Sequence, residues 1–186
     1  MRIFFSVTLS PEIKRLINNK VIRSTAENFQ DSTIRWTKES DLHITLLFIK
    51  NINPNSIEQL VEHAKVELNN FNTFKIKFLD IELFPSSENP KFLSYKISAA
   101  DQLTKLFDSL NLASQKLGLA KDERPYRPHM TLGKILSSAS IKIPIKNIEL
   151  PEFSVSSIVL LESTPSPNGS NYKELYSINL HDKTHK

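Results

Sequence analysis

Apolar residues recur at helical spacing in three segments, and each segment has a residue typical of a helix boundary. The first predicted helix opens at Ser10-Pro11, because serine is a good N-cap and proline suits the first turn. The second opens at Asn53-Pro54, and the third ends at Gly118, a common C-terminal cap. The apolar stripes are Ile13, Leu16, Ile17 and Val21; Ile57, Leu60, Val61, Ala64 and Leu68; and Leu103, Leu106, Phe107, Leu110, Ala113 and Leu117. Each stripe indicates core packing.

The remaining apolar runs are short and partly alternating, which is typical of strands. We predict strands at residues 2–8, 33–36, 42–49, 74–79, 92–97, 130–136, 148–153, 155–161 and 175–180. Residues 74–79 and 92–97 are expected to form a hairpin across a turn-rich link. Residues 163–170, rich in serine, proline and glycine, are interpreted as a flexible loop. Strands flanking helices in both halves predict an α+β fold.

Two strand segments carry nearly the same short sequence. One reads Leu42-His43-Ile44-Thr45-Leu46 and the other Pro128-His129-Met130-Thr131-Leu132. Two of the five histidines therefore precede an apolar residue and a threonine, once in each half. A single copy of so short a motif is weak evidence, whereas a pair is hard to attribute to chance. We interpret the pair as an internal duplication of two α+β lobes.

Strand geometry places the histidine and threonine of each motif on one face, because residues i and i+2 point the same way. Continued alternation predicts that Leu47 shares the face of His43 and that Gly133 shares the face of His129. Phe48 is then expected in the core, and Gly133 would let a ligand approach the backbone closely. If the two strands are neighbours, both histidines and both threonines converge.

Such a constellation suits the hydrolysis of a phosphodiester. Imidazole titrates near neutral pH, so one ring can accept a proton while the other donates one. Threonine hydroxyls can donate to phosphate oxygens, and a nearby cation would stabilise the developing charge. A lone histidine on a strand is more often structural, and threonine favours strands in any case. The pairing nevertheless favours catalysis for His43 and His129 and phosphate binding for Thr45 and Thr131.

Length and composition further restrict the number of domains, the available chemistry and the expected cellular location. A length of 186 residues suits a single domain, here residues 1–186, built of two interwoven lobes. The absence of cysteine excludes disulfides, thiol nucleophiles and cysteine-ligated metals. No segment approaches the roughly 20 apolar residues of a membrane span, and the N-terminus lacks a signal-peptide pattern. We therefore expect a cytoplasmic protein that does not associate with membranes.

The net charge of +4 permits a polyanionic partner without requiring one. A denser basic cluster, Lys121, Arg124, Arg127 and Lys134, brackets His129. Arg124, Arg127 and Lys134 are candidate phosphate or RNA contacts, although solvated charges would explain them equally well. Trp36 and Tyr126 could stack on bases or pack in the core.

Together these residues resemble the 2H phosphoesterase superfamily, which is named for two histidine motifs of this form. Within it, the chain is similar to the RNA 2′,3′-cyclic phosphodiesterases, also called LigT-like or 2′-5′ RNA ligase-like proteins. The likeness extends to residues 2–7, 35–49, 124–132, 155–163 and 172–180. Two positions depart from the pattern, since Lys50 stands where glycine is usual and Lys134 where arginine is usual. Lysine keeps the charge of arginine but loses its bidentate fork.

The resemblance implies a bilobal, pseudo-symmetric α+β fold in which two antiparallel sheets line a central groove, with helices outside. It implies metal-independent opening of RNA 2′,3′-cyclic phosphate ends to 2′-phosphates, without a cofactor, and reversible 2′-5′ ligation as a further activity. Carried over by position, His43 and His129 would be the catalytic pair, and Thr45 and Thr131 would bind phosphate. We predict that His43 protonates the leaving O3′ and that His129 activates water.

The partner would be an RNA end, as in tRNA or an oligonucleotide, and we expect a monomer. Two alternatives stay open at this point. One is a small cyclic phosphate, such as an ADP-ribose cyclic phosphate, as the substrate. The other is a non-catalytic RNA-binding module, although a pure binder would not need two titratable groups.

Overall fold

The computed structural model describes residues 1–26, 33–136, 148–167 and 169–182. The strands are β1 (Ile3–Thr8), β2 (Ile34–Trp36), β3 (His43–Ile49), β4 (Phe74–Ile76), β5 (Phe78–Phe84), β6 (Phe92–Ile97), β7 (His129–Ile135), β8 (Phe153–Val155), β9 (Ser157–Ser166) and β10 (Gly169–Asn179). The α-helices are α1 (Pro11–Ile17), α2 (Arg23–Ala26), α3 (Ile57–Leu68) and α4 (Ala100–Gln115). A π-helical stretch, Asn18–Ile22, joins α1 to α2, and single 3-10 turns occupy Glu39–Asp41 and Pro54–Ser56.

The predicted helix starts are confirmed by their caps. The Ser10 hydroxyl accepts a hydrogen bond from the Ile13 amide at 3.4 Å, and Pro11 begins α1. The Asn53 side chain accepts from the Asn55 amide at 3.1 Å and opens the turn that leads into α3. The third helix ends at Gln115 instead of running to Gly118, which takes a left-handed φ of 73° three residues later. The predicted apolar stripes pack into the core, and α3 lies against α4.

One antiparallel sheet runs through the molecule in the order β10-β9-β1-β3-β7-β6-β5, with β2 pairing to β7. The two motif strands, β3 and β7, lie at its centre and meet at the pair Ile44–Met130. The two sheets expected from the sequence are therefore joined through this contact. Ile44 and Met130 occupy equivalent places in the two motifs, so a pseudo-twofold axis passes between them. The α+β, pseudo-symmetric fold class is confirmed.

Pairing on either side of the axis is repeated residue for residue. In one half, β1 pairs with β3. There Phe4 lies opposite Phe48, Ser6 opposite Thr45, and Thr8 opposite His43. In the other half, β6 pairs with β7. There Phe92 lies opposite Lys134, Ser94 opposite Thr131, and Lys96 opposite His129. Each ladder has one β-bulge, which inserts Leu46 in β3 and Leu132 in β7. Both halves thus break the alternation one residue after the motif threonine.

Three predictions about the strands are wrong. The segment predicted at 74–79 is split: β4 leaves the main sheet to pair with β8, and the hairpin partner of β6 is β5. Residues 148–152 lie outside any strand, and β8 begins at Phe153. Most of the loop predicted at 163–170 is strand, because β9 and β10 pair up to Ser166 and Gly169, while residue 168 falls outside the described residues.

Candidate active site

The two motifs open onto one cavity of about 590 Å³ above the centre of the sheet. His43, Thr45, His129 and Thr131 all contribute to its wall, so the four side chains singled out in the sequence are brought together. The other lining residues are Arg35, Trp36, Thr37, Lys38, Asp41, Phe48, Phe92, Lys134, Gly169, Ser170 and Tyr172. They come from β2, β3, β6, β7 and the β9–β10 hairpin and from the link before β3.

The His43 ring is fixed on both sides and at both nitrogens. Its Nδ1 lies 2.6 Å from the carbonyl oxygen of Asp41, and its Nε2 lies 3.1 Å from the hydroxyl of Thr45. The Phe4 ring packs against the imidazole, with 4.9 Å between the two ring centroids. The Tyr172 ring contacts the imidazole edge-on, with 5.3 Å between the centroids. These contacts hold the imidazole in one orientation within the cavity wall.

His129 is held in the same way. Its Nδ1 lies 2.8 Å from the carbonyl oxygen of Arg127, which is also two residues before the histidine. Phe84 stacks on the ring at 3.8 Å, with 18° between the planes. A carbonyl oxygen can only accept, so Nδ1 carries a proton in both rings. When either ring is neutral, its Nε2 therefore carries the lone pair that a general base needs, and in His43 this lone pair accepts from the Thr45 hydroxyl.

Burial lowers the pKa of both histidines below the ordinary value of 6.5. For His43 the effect of desolvation on the pKa is opposed by the hydrogen bond to the Asp41 carbonyl and by the Asp41 carboxylate, and it is reinforced by the charge of Lys14. For His129 the desolvation is opposed by the hydrogen bond to Arg127 and by the Glu82 carboxylate. Both rings are thus biased toward the neutral form. Each also has a nearby carboxylate that favours its charged form, Asp41 for His43 and Glu82 for His129, and a nearby cation that disfavours it, Lys14 or Arg127.

The basic residues predicted around the site divide into two groups. Lys134 lines the cavity, together with Arg35 and Lys38, while Asp41 is the acidic residue among the described lining residues. Arg124 and Arg127 are not among those lining residues. Arg124 pairs with Asp122, and Arg127 donates to the Pro85 carbonyl and the Glu82 carboxylate. Their proposed contact with substrate has no support from the cavity geometry.

Of the two roles that the sequence leaves open for Tyr126, the structure shows packing against the core. Its ring stacks on Phe107 at 4.9 Å, and its hydroxyl donates to the Thr45 carbonyl at 2.9 Å. Burial raises the pKa of its hydroxyl, which therefore stays a proton donor. Tyr126 thus lies on the chain segment that leads into the second motif, and it binds the backbone of the first motif through the Thr45 carbonyl.

The two bulges overturn the predicted faces beyond the threonines. Leu47, expected beside His43, is buried in the core, and Phe48 lines the cavity instead. Gly133, expected beside His129, is buried against β2, and Lys134 takes the cavity face. A Cβ at Gly133 would lie 2.5 Å from Ile34 Cγ2. The glycine therefore allows close packing of β2 and not the approach of a ligand.

Several residues of the site were missed from sequence. Arg35 and Lys38 line the cavity because β2 pairs with β7, a contact between distant segments. Phe84 and Glu82 reach His129 through the β5–β6 pairing. Two signals could have drawn attention to Arg35 and Lys38: their closeness to the first motif and their place in the family-like stretch 35–49.

Comparisons with known proteins show which families and folds the chain is similar to. The family model described as LigT-like phosphoesterase matches residues 7–93. An RNA 2′,3′-cyclic phosphodiesterase of Thermotoga maritima is 24% identical over 95% of this chain and 94% of its own length. One of Methanocaldococcus jannaschii is 28% identical over 93% of this chain and 97% of its own. The chain is therefore similar to the LigT-like phosphoesterases over a little under half of its length in the family model and over nearly its whole length in these relatives.

Solved structures show the same fold at low identity. A crystal structure of a Thermus thermophilus protein matches with a TM-score of 0.84 and 21% identity, covering 98% of this chain and all of that one. The E. coli LigT structure with 3′-AMP matches with a TM-score of 0.80 and 22% identity, over 96% of this chain and 97% of that one. The chain therefore has the fold of these two structures along nearly its whole length.

The described residues lack two further features. They contain no group of three or more histidine, aspartate or glutamate side chains placed to hold a metal ion. In the same ranges, no helix is long and apolar enough to cross a membrane.

Proposed function

We propose that this protein is a LigT-like phosphoesterase that hydrolyses RNA 2′,3′-cyclic phosphate ends to 2′-phosphates, with His43 and His129 as acid and base. The observation that carries the proposal is the pair of Nδ1-anchored imidazoles that line one cavity beside two threonine hydroxyls. The relatives named RNA 2′,3′-cyclic phosphodiesterase support the choice of substrate. The charge of the cavity suits an anionic ligand, because three cationic side chains line it.

The proposed step moves two protons and exchanges one bond at phosphorus. A neutral imidazole Nε2 takes a proton from water, and the water oxygen forms a bond to phosphorus. The phosphorus–O3′ bond breaks, and the second, protonated imidazole delivers its Nε2 proton to O3′. Phosphate stays on O2′. Thr45, Thr131 and Lys134 donate to the non-bridging oxygens, where charge increases in the transition state.

The test is incubation of the protein with an oligonucleotide ending in a 2′,3′-cyclic phosphate, in EDTA, followed by identification of the product. A 2′-phosphate is expected. Replacing His43 or His129 with alanine should each lower kcat by about 10²-fold or more, since each removes one proton transfer. His63→Ala is the matched control, because His63 lies on α3 away from the lining residues. Unchanged substrate, a 3′-phosphate product or near wild-type histidine variants would each contradict the proposal.

The division of labour between the histidines stays a prediction, with His43 as the acid. A substrate with sulfur in place of O3′ needs no protonation of its leaving group. Such a substrate should restore turnover to His43→Ala and not to His129→Ala. Rescue of the His129 variant alone would reverse the assignment.

A further inference from the structure

Two buried serines occupy equivalent places in the two halves of the sheet. Ser6 lies in β1 and Ser94 in β6, and both are 0% exposed. Among the described residues, neither hydroxyl oxygen has a hydrogen-bond partner. A buried hydroxyl without a partner costs free energy, and serine is seldom fully buried. Both halves of the sheet therefore carry the free-energy cost of an unpartnered serine hydroxyl at the same position.

Each serine lies directly opposite a motif threonine. Ser6 pairs with Thr45 across β1 and β3, and Ser94 pairs with Thr131 across β6 and β7. Residues directly opposite in an antiparallel pair point to the same face, with their Cβ atoms about 4.5–5.5 Å apart. Both serines therefore lie on the cavity side of the sheet, next to the threonines.

The serine oxygens are too deeply buried to meet a ligand themselves. Both are closed off from solvent, whereas Thr45 and Thr131 line the cavity. Any effect of the serines on a bound anion must therefore pass through the threonines. In the structure the Thr45 hydroxyl is engaged with His43 Nε2 at 3.1 Å. A threonine that turns its hydrogen toward an anion keeps an oxygen lone pair that can accept a hydrogen bond.

We propose that Ser6 and Ser94 are positioning residues for phosphate, each donating its hydroxyl hydrogen to Thr45 or Thr131 when that threonine donates to a phosphate oxygen. The serine reaches the threonine oxygen by rotation about its Cα–Cβ bond. Chains of hydrogen bonds polarise one another, so the threonine becomes a better donor to the anion. This inference rests on the phosphate-binding role that the proposed function gives to the threonines.

The test compares Ser6→Ala and Ser94→Ala with the wild-type protein, using inorganic phosphate in calorimetric titrations. Each variant should bind phosphate about 5-fold more weakly, as expected for the loss of one typical hydrogen bond. Thermal unfolding without phosphate should show an unchanged or higher Tm, because alanine removes an unpartnered buried hydroxyl. A merely structural serine would give a lower Tm and an unchanged phosphate affinity.

A second pair of variants tests whether the serine acts through the threonine. In a Thr45→Val background, Ser6→Ala should have no further effect on phosphate affinity, and the same holds for Ser94→Ala in Thr131→Val. Ser114→Ala is the matched control: Ser114 is buried in α4, where its hydroxyl donates to the Asn111 carbonyl at 2.8 Å. That variant should lower the Tm and leave phosphate binding unchanged.

The outcomes separate this inference from the proposed function. Equal phosphate affinity in wild type and both serine variants, or no phosphate binding by the wild type, overturns the positioning role. A full serine effect in the valine backgrounds overturns it as well. If the serine variants weaken phosphate binding while the wild type leaves cyclic phosphate ends intact, the positioning role stands and the proposed reaction fails.

Discussion

Gly133→Ala tests why a glycine follows the second motif. Alternation along the sequence assigns Gly133 to ligand approach, whereas the structure packs it against β2. An added Cβ would lie 2.5 Å from Ile34 Cγ2, 3.2 Å from the Arg35 carbonyl oxygen and 3.3 Å from Trp36 Cε3. These atoms belong to a paired strand and a ring at its end, so β2 must move away from β7.

The expected cost is that of overpacking a buried site, about 1–3 kcal/mol in the free energy of unfolding. For a chain of this size, 1 kcal/mol lowers the Tm by roughly 2–4 °C, so a fall of about 2–12 °C is expected in calorimetry. Because Arg35 and Trp36 line the cavity, the movement of β2 should also raise KM for the cyclic phosphate substrate.

Gly118→Ala is the control for a strained glycine far from the cavity. Gly118 has a φ of +73° and nothing within 4 Å of an added Cβ, so its variant should lose stability through backbone strain and keep the wild-type KM. A Gly133→Ala protein with wild-type Tm and a raised KM would refute the packing explanation and restore the interpretation as a ligand-approach site.

Three further predictions concern the pH dependence of activity, the pH dependence of stability and one hydrogen bond. The profile of kcat/KM against pH should be bell-shaped with its maximum below pH 6.5, because burial lowers the pKa of both histidines in the free enzyme; a maximum above pH 7 would contradict this. The free energy of unfolding should fall as the pH drops below about 6.5, because the unfolded chain then binds more protons than the folded one. The dependence of this free energy on pH, measured by urea titration, should be weaker in the double variant His43→Gln/His129→Gln. Tyr126→Phe should cost about 0.5–1.5 kcal/mol in chemical denaturation, since it removes the bond to the Thr45 carbonyl, and wild-type stability would show that bond to be unimportant.

Local patterns predicted two of the helix starts and the meeting of the two motifs at one cavity. Helix starts follow from caps a few residues long, as at Ser10-Pro11 and Asn53-Pro54. The convergence of the two motifs follows from strand alternation once β3 and β7 are neighbours. These features depend on spacing within a segment, and such spacing can be read directly from the sequence.

The errors arise where distant segments decide the outcome. The bulges at Leu46 and Leu132 exist because β1 and β6 continue past them in register, which no feature of β3 or β7 alone determines. Each bulge moves every later side chain to the other face. Consecutive buried residues, Leu46 and Leu47, were the only local sign of this change. Likewise, β4 leaves the main sheet because β8, far along the chain, pairs with it.

The pseudo-twofold axis between Ile44 and Met130 gives the cavity two halves with the same frame and different ends. Five residues after each histidine, the shared bulge presents Phe48 on one side and Lys134 on the other. A phosphate group alone would fit such a frame in two opposite directions. A nucleotide chain has a direction of its own, and one bound as proposed would meet Phe48 on one side of the axis and Lys134 on the other. Under the proposed function, the symmetric frame would hold the phosphate, and the unlike pair would set the direction of the attached strand.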